Sequence, residues 1–371
     1  MSDTLRIGIV ACGLRAMQMA QIVDIIPKYF RLTAMSDPDE SARNYAKERF
    51  PQITTYADSE EMLASGTLDA AIIETPPEQH LFYTLKAMEN GLHVMGEIPS
   101  VNTYDEAVAL WNAVKKYPNL LYMCGATANY RQKCLALDYL RKHDMFGKLV
   151  YAEAEYNHGM ERPLDIKGVK WDNWRRNYDA CRYCTHSIGP VLAFMEKGDE
   201  FETVSCMGTG QHFPTTWKDH AMVAIYHSKN NVVARILTAF GLYRVGPYHT
   251  TRMYTDQGMY ELYNEKIKFF KPEFAEFCEK NETMELNFGR FPRRYWQDFP
   301  EDKVLMAGGG GHGGADFIML EDFADAILNG KPSPCTLKEG LAMTLPGIFA
   351  ADSAKAGGVL TKIRYPWNEE K

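Results

Sequence analysis

The apolar positions of this chain change period once, near residue 148. Residues 5–10 (LRIGIV) are an unbroken apolar run, as expected of a strand covered on both faces. A tight turn follows at 11–16, then an apolar helical stretch to about Ile26. Strand-like runs recur at 31–36, 69–75, 92–97 and 120–126, with helical runs at 78–90, 103–116 and 131–143. Repeated βα units of this length predict a doubly wound parallel sheet. From about 148 the alternation becomes two-residue. Runs at 148–158, 201–210, 220–228, 232–241 and 250–262 read as strands, with helices only near 187–196 and 316–328. Strands in succession predict a largely antiparallel sheet. The expected class is α/β followed by α+β. The expected domains are 1–127 and 128–371, with the segment 338–371 packing back onto the rest.

The first turn, Ala11-Cys12-Gly13-Leu14-Arg15-Ala16, has the form AxGxxA between a strand and a helix. Gly13 keeps the middle position of the dinucleotide fingerprint, where the missing side chain lets backbone approach a pyrophosphate. The helix N-terminus offers free N–H groups and a positive dipole end to phosphate. Asp37 ends the second strand, where a carboxylate accepts bonds from ribose hydroxyls and repels a 2′-phosphate. The N-terminal domain is therefore expected to be a Rossmann domain that takes NAD. Asp37 could instead cap the helix that follows, a role Asp39 could also fill. In such sheets ligands sit beyond the strand C-termini, which marks the turns 11–16, 37–38, 75–80 and 97–99.

Composition narrows the classes. The 371 residues are 46% hydrophobic and 24% charged, a globular balance for two domains. A net charge of -7 argues against nucleic acid, which needs a basic footprint. No apolar run reaches the roughly 18 residues of a membrane span. The N-terminus carries no basic-then-apolar leader, so a cytoplasmic location is expected, or a periplasmic one if a leader has been removed. Eight scattered cysteines fit a reducing compartment. Cys181 and Cys184 form a CxxC, but no second pair follows at zinc spacing, so no metal is expected. The open face of an antiparallel sheet is a common pairing surface, and a homo-oligomer is expected.

The AxGxxA turn, Asp37, the turn Thr75-Pro76-Pro77-Glu78-Gln79-His80, the run ending Glu97-Ile98-Pro99 and the α+β half together resemble the Gfo/Idh/MocA oxidoreductases. The resemblance implies NAD or NADP and sugar or cyclitol substrates. That family's strand-end motif is Glu-Lys-Pro, whose lysine assists proton transfer. Here Ile98 stands in its place. An apolar residue at this point resembles the Glu-Val-Pro of the NAD-dependent glycosidases typified by α-N-acetylgalactosaminidase. Five further stretches resemble that group. Ala152-Glu153-Ala154-Glu155-Tyr156-Asn157-His158 is similar to its Ala-Glu-Gly-Gly-Tyr-x-His. Trp174-Arg175 and Arg182-Tyr183-Cys184-Thr185-His186-Ser187-Ile188-Gly189-Pro190 are similar to its Trp-Arg and Leu-Tyr-Pro-Thr-His-Gly-Leu-Gly-Pro. Gly246-Pro247-Tyr248 is similar to its Arg-Pro-Tyr, and Gly311-His312-Gly313-Gly314-Ala315-Asp316-Phe317 to its Gly-His-Gly-Gly-Met-Asp-Phe. Two departures lie near the implied pocket: Cys184 replaces a proline, and the segment between Tyr156 and Trp174 is short.

The resemblance implies that NAD lies on Gly13, Leu14, Arg15 and Asp37, then on Thr75, Pro77 and His80. It continues to Glu97, Ile98, Pro99 and Thr127, with Trp174 and Arg175 at the far end. Tyr156, His158, Tyr183, Thr185, His186 and Tyr248 are the implied substrate contacts. The implied cycle is oxidation at sugar C3, elimination across C1 and C2, water addition and re-reduction. His186 is expected to handle the C3 hydroxyl proton, with Tyr156, Tyr183 and Tyr248 as further acid–base groups. Two alternatives stay open: a simple sugar or cyclitol dehydrogenase, and a catalytically silent NAD-binding protein.

Overall fold

The computed structural model describes residues 4–131, 134, 137, 141–142, 146–158, 174, 178–212, 218–242, 249–263, 266–270, 284–286 and 311–369. The first sheet holds β1 (Leu5–Val10), β2 (Phe30–Ser36), β3 (Thr54–Tyr56), β4 (Ala70–Ile73), β5 (His93–Gly96) and β6 (Tyr122–Cys124). Their spatial order is β3-β2-β1-β4-β5-β6, and every pair is parallel. The order reverses between β1 and β4, which is where such a sheet opens a ligand crevice. β4 is buried at every position, as a strand covered by helices on both faces must be.

Helices α1 (Leu14–Asp24), α2 (Glu40–Arg49), α3 (Ser59–Leu63), α4 (His80–Glu89) and α5 (Tyr104–Lys116) connect these strands. Three begin on side-chain caps: Asp39 accepts from the Ser41 N–H, Asp58 from Glu60 and Thr103 from Glu106. α1 starts instead at Gly13, with no side-chain cap and no acidic residue in its first turn. β3 and α3 are short and half exposed, so no long apolar run announces them.

Among the described residues the second sheet has nine strands. They are β7 (Leu149–Asn157), β8 (Phe201–Gly208), β9 (Ala221–Ser228), β10 (Val233–Ala239), β11 (His249–Thr255), β12 (Met259–Tyr263), β13 (Lys266–Phe270), β14 (Met284–Leu286) and β15 (Thr361–Lys362). The order is β14-β13-β12-β11-β7-β10-β9-β8-β15. Only β7 and β10 run parallel among the described pairs, so the sheet is mixed and mostly antiparallel. The single strand expected over 250–262 is a hairpin. Its Asp256-Gln257-Gly258 turn is closed by the Thr255 N–H on the Gly258 carbonyl at 2.8 Å, and Gly and Asp are turn formers. The helix expected over 131–143 falls mostly outside the described residues; a short 3-10 turn, Thr127–Tyr130, precedes it.

Helices α6 (Thr185–Phe194), α7 (Ala315–Leu328) and α8 (Leu337–Lys355) complete the described elements. The inward face of the sheet carries Ala152, Ala154, Ala224, Ala234 and Ile236, all buried, and these small side chains let helices lie close. α8 packs against β8, β6 and α5, so the C-terminal segment spans both sheets. Its approach is tight: a Cβ on Gly347 would stand 2.5 Å from the Cys181 carbonyl oxygen. Among the described residues no helix is long and apolar enough to cross a membrane.

Candidate active site

The nucleotide side is built at the C-terminal ends of β1, β2, β4 and β5. The Cys12 N–H donates to Asp37 Oδ2 at 2.9 Å, and the Asp39 N–H to Oδ1 at 2.9 Å. Asp39, not Asp37, caps α2. Asp37 therefore fixes the first turn and stands half-buried where a ribose would lie. Ala11 takes φ 99° in that turn, a conformation that favours glycine. Burial, and then the Asp37 charge, push the Cys12 thiol up to about 12.

His80 joins the next two turns. Its Nδ1 lies 2.7 Å from the Pro99 carbonyl oxygen and its Nε2 2.7 Å from that of Thr75. The ring is 2% exposed, so it holds the two turns together rather than facing a ligand. Ile98 is also 2% exposed, and Pro77 and Pro99 are buried. Gly13 and Leu14 are half-buried at the open start of α1.

Arg15 anchors the centre. Its guanidinium meets Asp316 twice, Nη1 on Oδ2 at 2.6 Å and Nη2 on Oδ1 at 2.9 Å. Its Nε donates to Glu97 at 3.0 Å and stands 3.8 Å from Glu74. Thr127 is 1% exposed, accepts from Arg15 at 3.0 Å and donates to Asp316 at 2.9 Å. Thr127 is thus spent on the interdomain pair. Burial alone would raise the Asp316 carboxyl, but Arg15 and the His312 hydrogen bond hold it well below the usual carboxylate range. Burial would lower the Arg15 pKa, but Asp316 and Glu97 carry it well above its ordinary value. The Glu74 side chain is 1% exposed and its Oε2 has no hydrogen-bond partner. Burial and the neighbouring Glu97 push it well above the usual carboxyl range, against the pull of Arg15.

The second half of the site is aromatic. Tyr156, on the inward face of β7, is 4% exposed. Its ring centroid lies 4.8 Å from His186, 4.9 Å from His249, 5.5 Å from His158 and 5.8 Å from Tyr183. Tyr183 ends a 3-10 turn, Ala180–Tyr183, and α6 begins two residues later, so His186 sits in its first turn. Tyr183 and His186 meet edge-on at 5.2 Å. Trp174 is half-buried and packs edge-on to Tyr183 at 5.6 Å. His312 is 6.2 Å from His186, with its Nδ1 3.1 Å from Asp316 Oδ2. It holds φ 60° in the turn before α7. His186 is 7% exposed, and its Nδ1 has no partner. Burial, reinforced by His312 and Arg131, holds its pKa well below 6.5, so the ring is neutral at pH 7. The hydroxyl of Thr185 likewise has no partner.

The structure thus brings Tyr156, His158, Tyr183, Thr185 and His186 together, within reach of the Arg15 cluster through His312. Tyr248 and Arg175 lie outside the described residues. Three members were not assigned roles from sequence: Glu74, Asp316 and His249. His249 lies directly opposite Tyr156 in the β7–β11 register, and its inward position at the start of β11 was the available signal. Among the described residues no group of three or more His, Cys, Asp or Glu could hold a metal ion. A cavity of about 690 Å³ lined by Trp111, Lys115, Tyr122 and Lys331 opens at the N-terminal side of β5 and β6, the end away from the ligand crevice.

These residues fit a dinucleotide. α1 presents an uncapped N-terminus free of acidic side chains, Asp37 stands half-buried just after β2, and the buried Thr75 Oγ1 lacks a partner at the crevice. Comparison with known proteins agrees. Residues 5–125 match the oxidoreductase family model with an NAD-binding Rossmann fold, and residues 130–364 match the glycosyl hydrolase 109 C-terminal domain. A glycosyl hydrolase family 109 protein of Saccharopolyspora erythraea is 26% identical, over 95% of this chain and 81% of its own. The α-N-acetylgalactosaminidase of Shewanella oneidensis is 22% identical, over 95% and 82%. Among solved structures, levoglucosan dehydrogenase with NADH superposes with TM-score 0.80 at 16% identity, over 98% of this chain and 100% of that one. Scyllo-inositol dehydrogenase of Lactobacillus casei, with bound NAD(H) and scyllo-inositol, gives 0.73 at 16%, over 97% and 99%. Residues 5–125 form an NAD-binding Rossmann domain of the Gfo/Idh/MocA oxidoreductase type, and through its C-terminal domain the chain belongs to glycosyl hydrolase family 109.

Proposed function

We propose that this enzyme processes glycosides through a 3-keto sugar, using NAD that is reduced and reoxidised within one turnover. The observation that carries the reading is His186: neutral, buried, its Nδ1 unpartnered, and packed against Tyr156 and Tyr183. Ile98, apolar and buried, offers no proton transfer where the simple dehydrogenases of the family carry lysine.

Bound NAD supplies hydride acceptance and return at sugar C3. His186 Nδ1 takes the C3 hydroxyl proton and later gives it back. The resulting ketone acidifies the C2 hydrogen, which a phenolate oxygen of the Tyr156–Tyr183 pair removes; the phenol so formed protonates the departing C1 substituent and later, having taken a proton from the adding water, protonates C2. The start of α6, with its dipole, favours the negative charge that develops on the enolate. Elimination expels the C1 substituent, and water adds to the enone at C1. The net change is hydrolysis with no NADH released.

The test is cofactor accounting. Purified protein is incubated with aryl glycosides and no added nucleotide. Aglycone release without NADH accumulation supports the cycle. NADH growth equal to product indicates a simple dehydrogenase, and absence of turnover on a glycoside and sugar panel indicates a silent NAD-binding protein.

We also propose a homo-oligomer paired through the outer face of the second sheet. There Met207 is 65% and Ile225 44% exposed beside the ladder Glu261–Arg252–Glu153–Arg235. Light scattering of a monomer at micromolar concentration would end that reading. We propose a cytoplasmic location, since the seven described cysteines are buried and none is in a disulfide.

A further inference from the structure

Three carboxyl groups share one guanidinium at the crevice. Asp316 binds Arg15 with both oxygens, Glu97 takes its Nε, and Glu74 stands 3.8 Å away. Each comes from a different element: Arg15 from α1, Glu74 from the end of β4, Glu97 from the end of β5, Asp316 from α7. Two of the three satisfy Arg15. Glu74 is the surplus: its side chain is 1% exposed, and its Oε2 makes no hydrogen bond. A buried carboxylate whose one nearby cation is already hydrogen-bonded to two others is costly to ionise, so such a group keeps its proton until a further positive charge arrives.

The sheet indicates where that charge comes from. Asp37 at the end of β2 holds the adenosine side and α1 the pyrophosphate, so the nicotinamide half extends over the ends of β4 and β5. Glu74 and Glu97 are the residues that follow those two strands. The oxidised nicotinamide ring is a cation and the reduced ring is neutral. With Glu74 protonated the cluster carries one excess negative charge, and with Glu74 ionised it carries two.

We infer that Glu74 is a redox-linked proton site: it releases its proton to solvent when the oxidised nicotinamide binds and keeps it when the reduced one binds. It acts as a positioning residue for charge, through Arg15 and Glu97, and takes no part in hydride transfer. The groups facing it are Arg15, Glu97 and Asp316, with His312 beyond Asp316. Burial and Glu97 favour its protonated form while Arg15 opposes, which is the balance a nearby cation can tip. The inference rests on NAD binding alone and not on the glycosidase cycle.

The test is nucleotide binding without any sugar. NADH affinity is read from its fluorescence on nucleotide-free protein, and NAD⁺ affinity by displacement, from pH 5 to 9. The affinity ratio of NAD⁺ to NADH should rise with pH by up to tenfold per unit across the Glu74 titration. Calorimetry in two buffers of different ionisation enthalpy should give up to one more proton released with NAD⁺ than with NADH. Glu74→Gln, an isostere of the protonated form, should flatten the ratio and remove the extra proton, with NADH affinity within about threefold. Glu74→Asp should keep both. A flat ratio in the unaltered protein, or a slope that survives in Glu74→Gln, overturns the inference. The first result needs no variant to fold.

Discussion

Arg15 and Asp316 meet through two hydrogen bonds, 2.6 and 2.9 Å long, across 301 residues of sequence. Asp316 is fully buried, and Arg15 is the second residue of α1. One contact therefore ties the nucleotide turn to the C-terminal domain. Removing Asp316 would leave the guanidinium compensated by Glu97 but its terminal nitrogens short of acceptors, at a cost of about 1–3 kcal/mol. Asp316→Ala should lower the unfolding free energy by that amount in urea titration. A loss under 1 kcal/mol would mean that water or Glu97 compensates Arg15 fully.

His186 links stability to pH. Its folded pKa lies below the unfolded 6.5, so below pH 6.5 the unfolded chain binds the extra proton and the folded state loses ground. Thermal midpoints should fall as pH drops from 7 to 5. Asn at position 186 should reduce that fall. An equal fall in His186→Asn would assign it to other groups.

The same histidine should carry turnover. His186→Ala should lower kcat by about 10²–10⁴ with NADH affinity nearly unchanged, as loss of an acid–base group does. Full turnover in that variant would remove His186 from the chemistry.

Ala11, at φ 99°, is a side chain in a glycine conformation. Ala11→Gly should change stability by less than about 1 kcal/mol, since it relieves strain while loosening the unfolded chain. Ala11→Val should cost about 1–3 kcal/mol in the same unfolding assay. If valine were tolerated as well as glycine, the turn would not have this shape.

The sequence made the local features legible. Buried strands and amphipathic helices leave their period in the residues they cover, so the βα repeat and the two-residue alternation after 148 could be read directly. The stretch 250–262 misled because both arms of the β11–β12 hairpin alternate alike, and only Asp256 and Gly258 mark the turn. Asp37 was readable as an acidic residue ending β2 but not as the acceptor that fixes Cys12, since that bond depends on how β1 and β2 align. Glu74 and Asp316 were hidden for a stronger reason. Their meaning lies in Arg15, and no spacing rule connects residues brought together by the packing of two domains. His186 with Tyr183 was visible as a spacing of three at a helix start; its pairing with His249 and Tyr156 needed the β7–β11 register.

The central claim is a cycle that breaks and remakes the C2–H bond. Turnover of a glycoside in D2O, followed by NMR of the released sugar, tests it most directly. The cycle places one solvent deuterium at C2 of every hydrolysed product, with hydrogen retained at C3. Hydrolysed product with its original hydrogen at C2 would contradict it, because direct displacement at C1 never opens that bond.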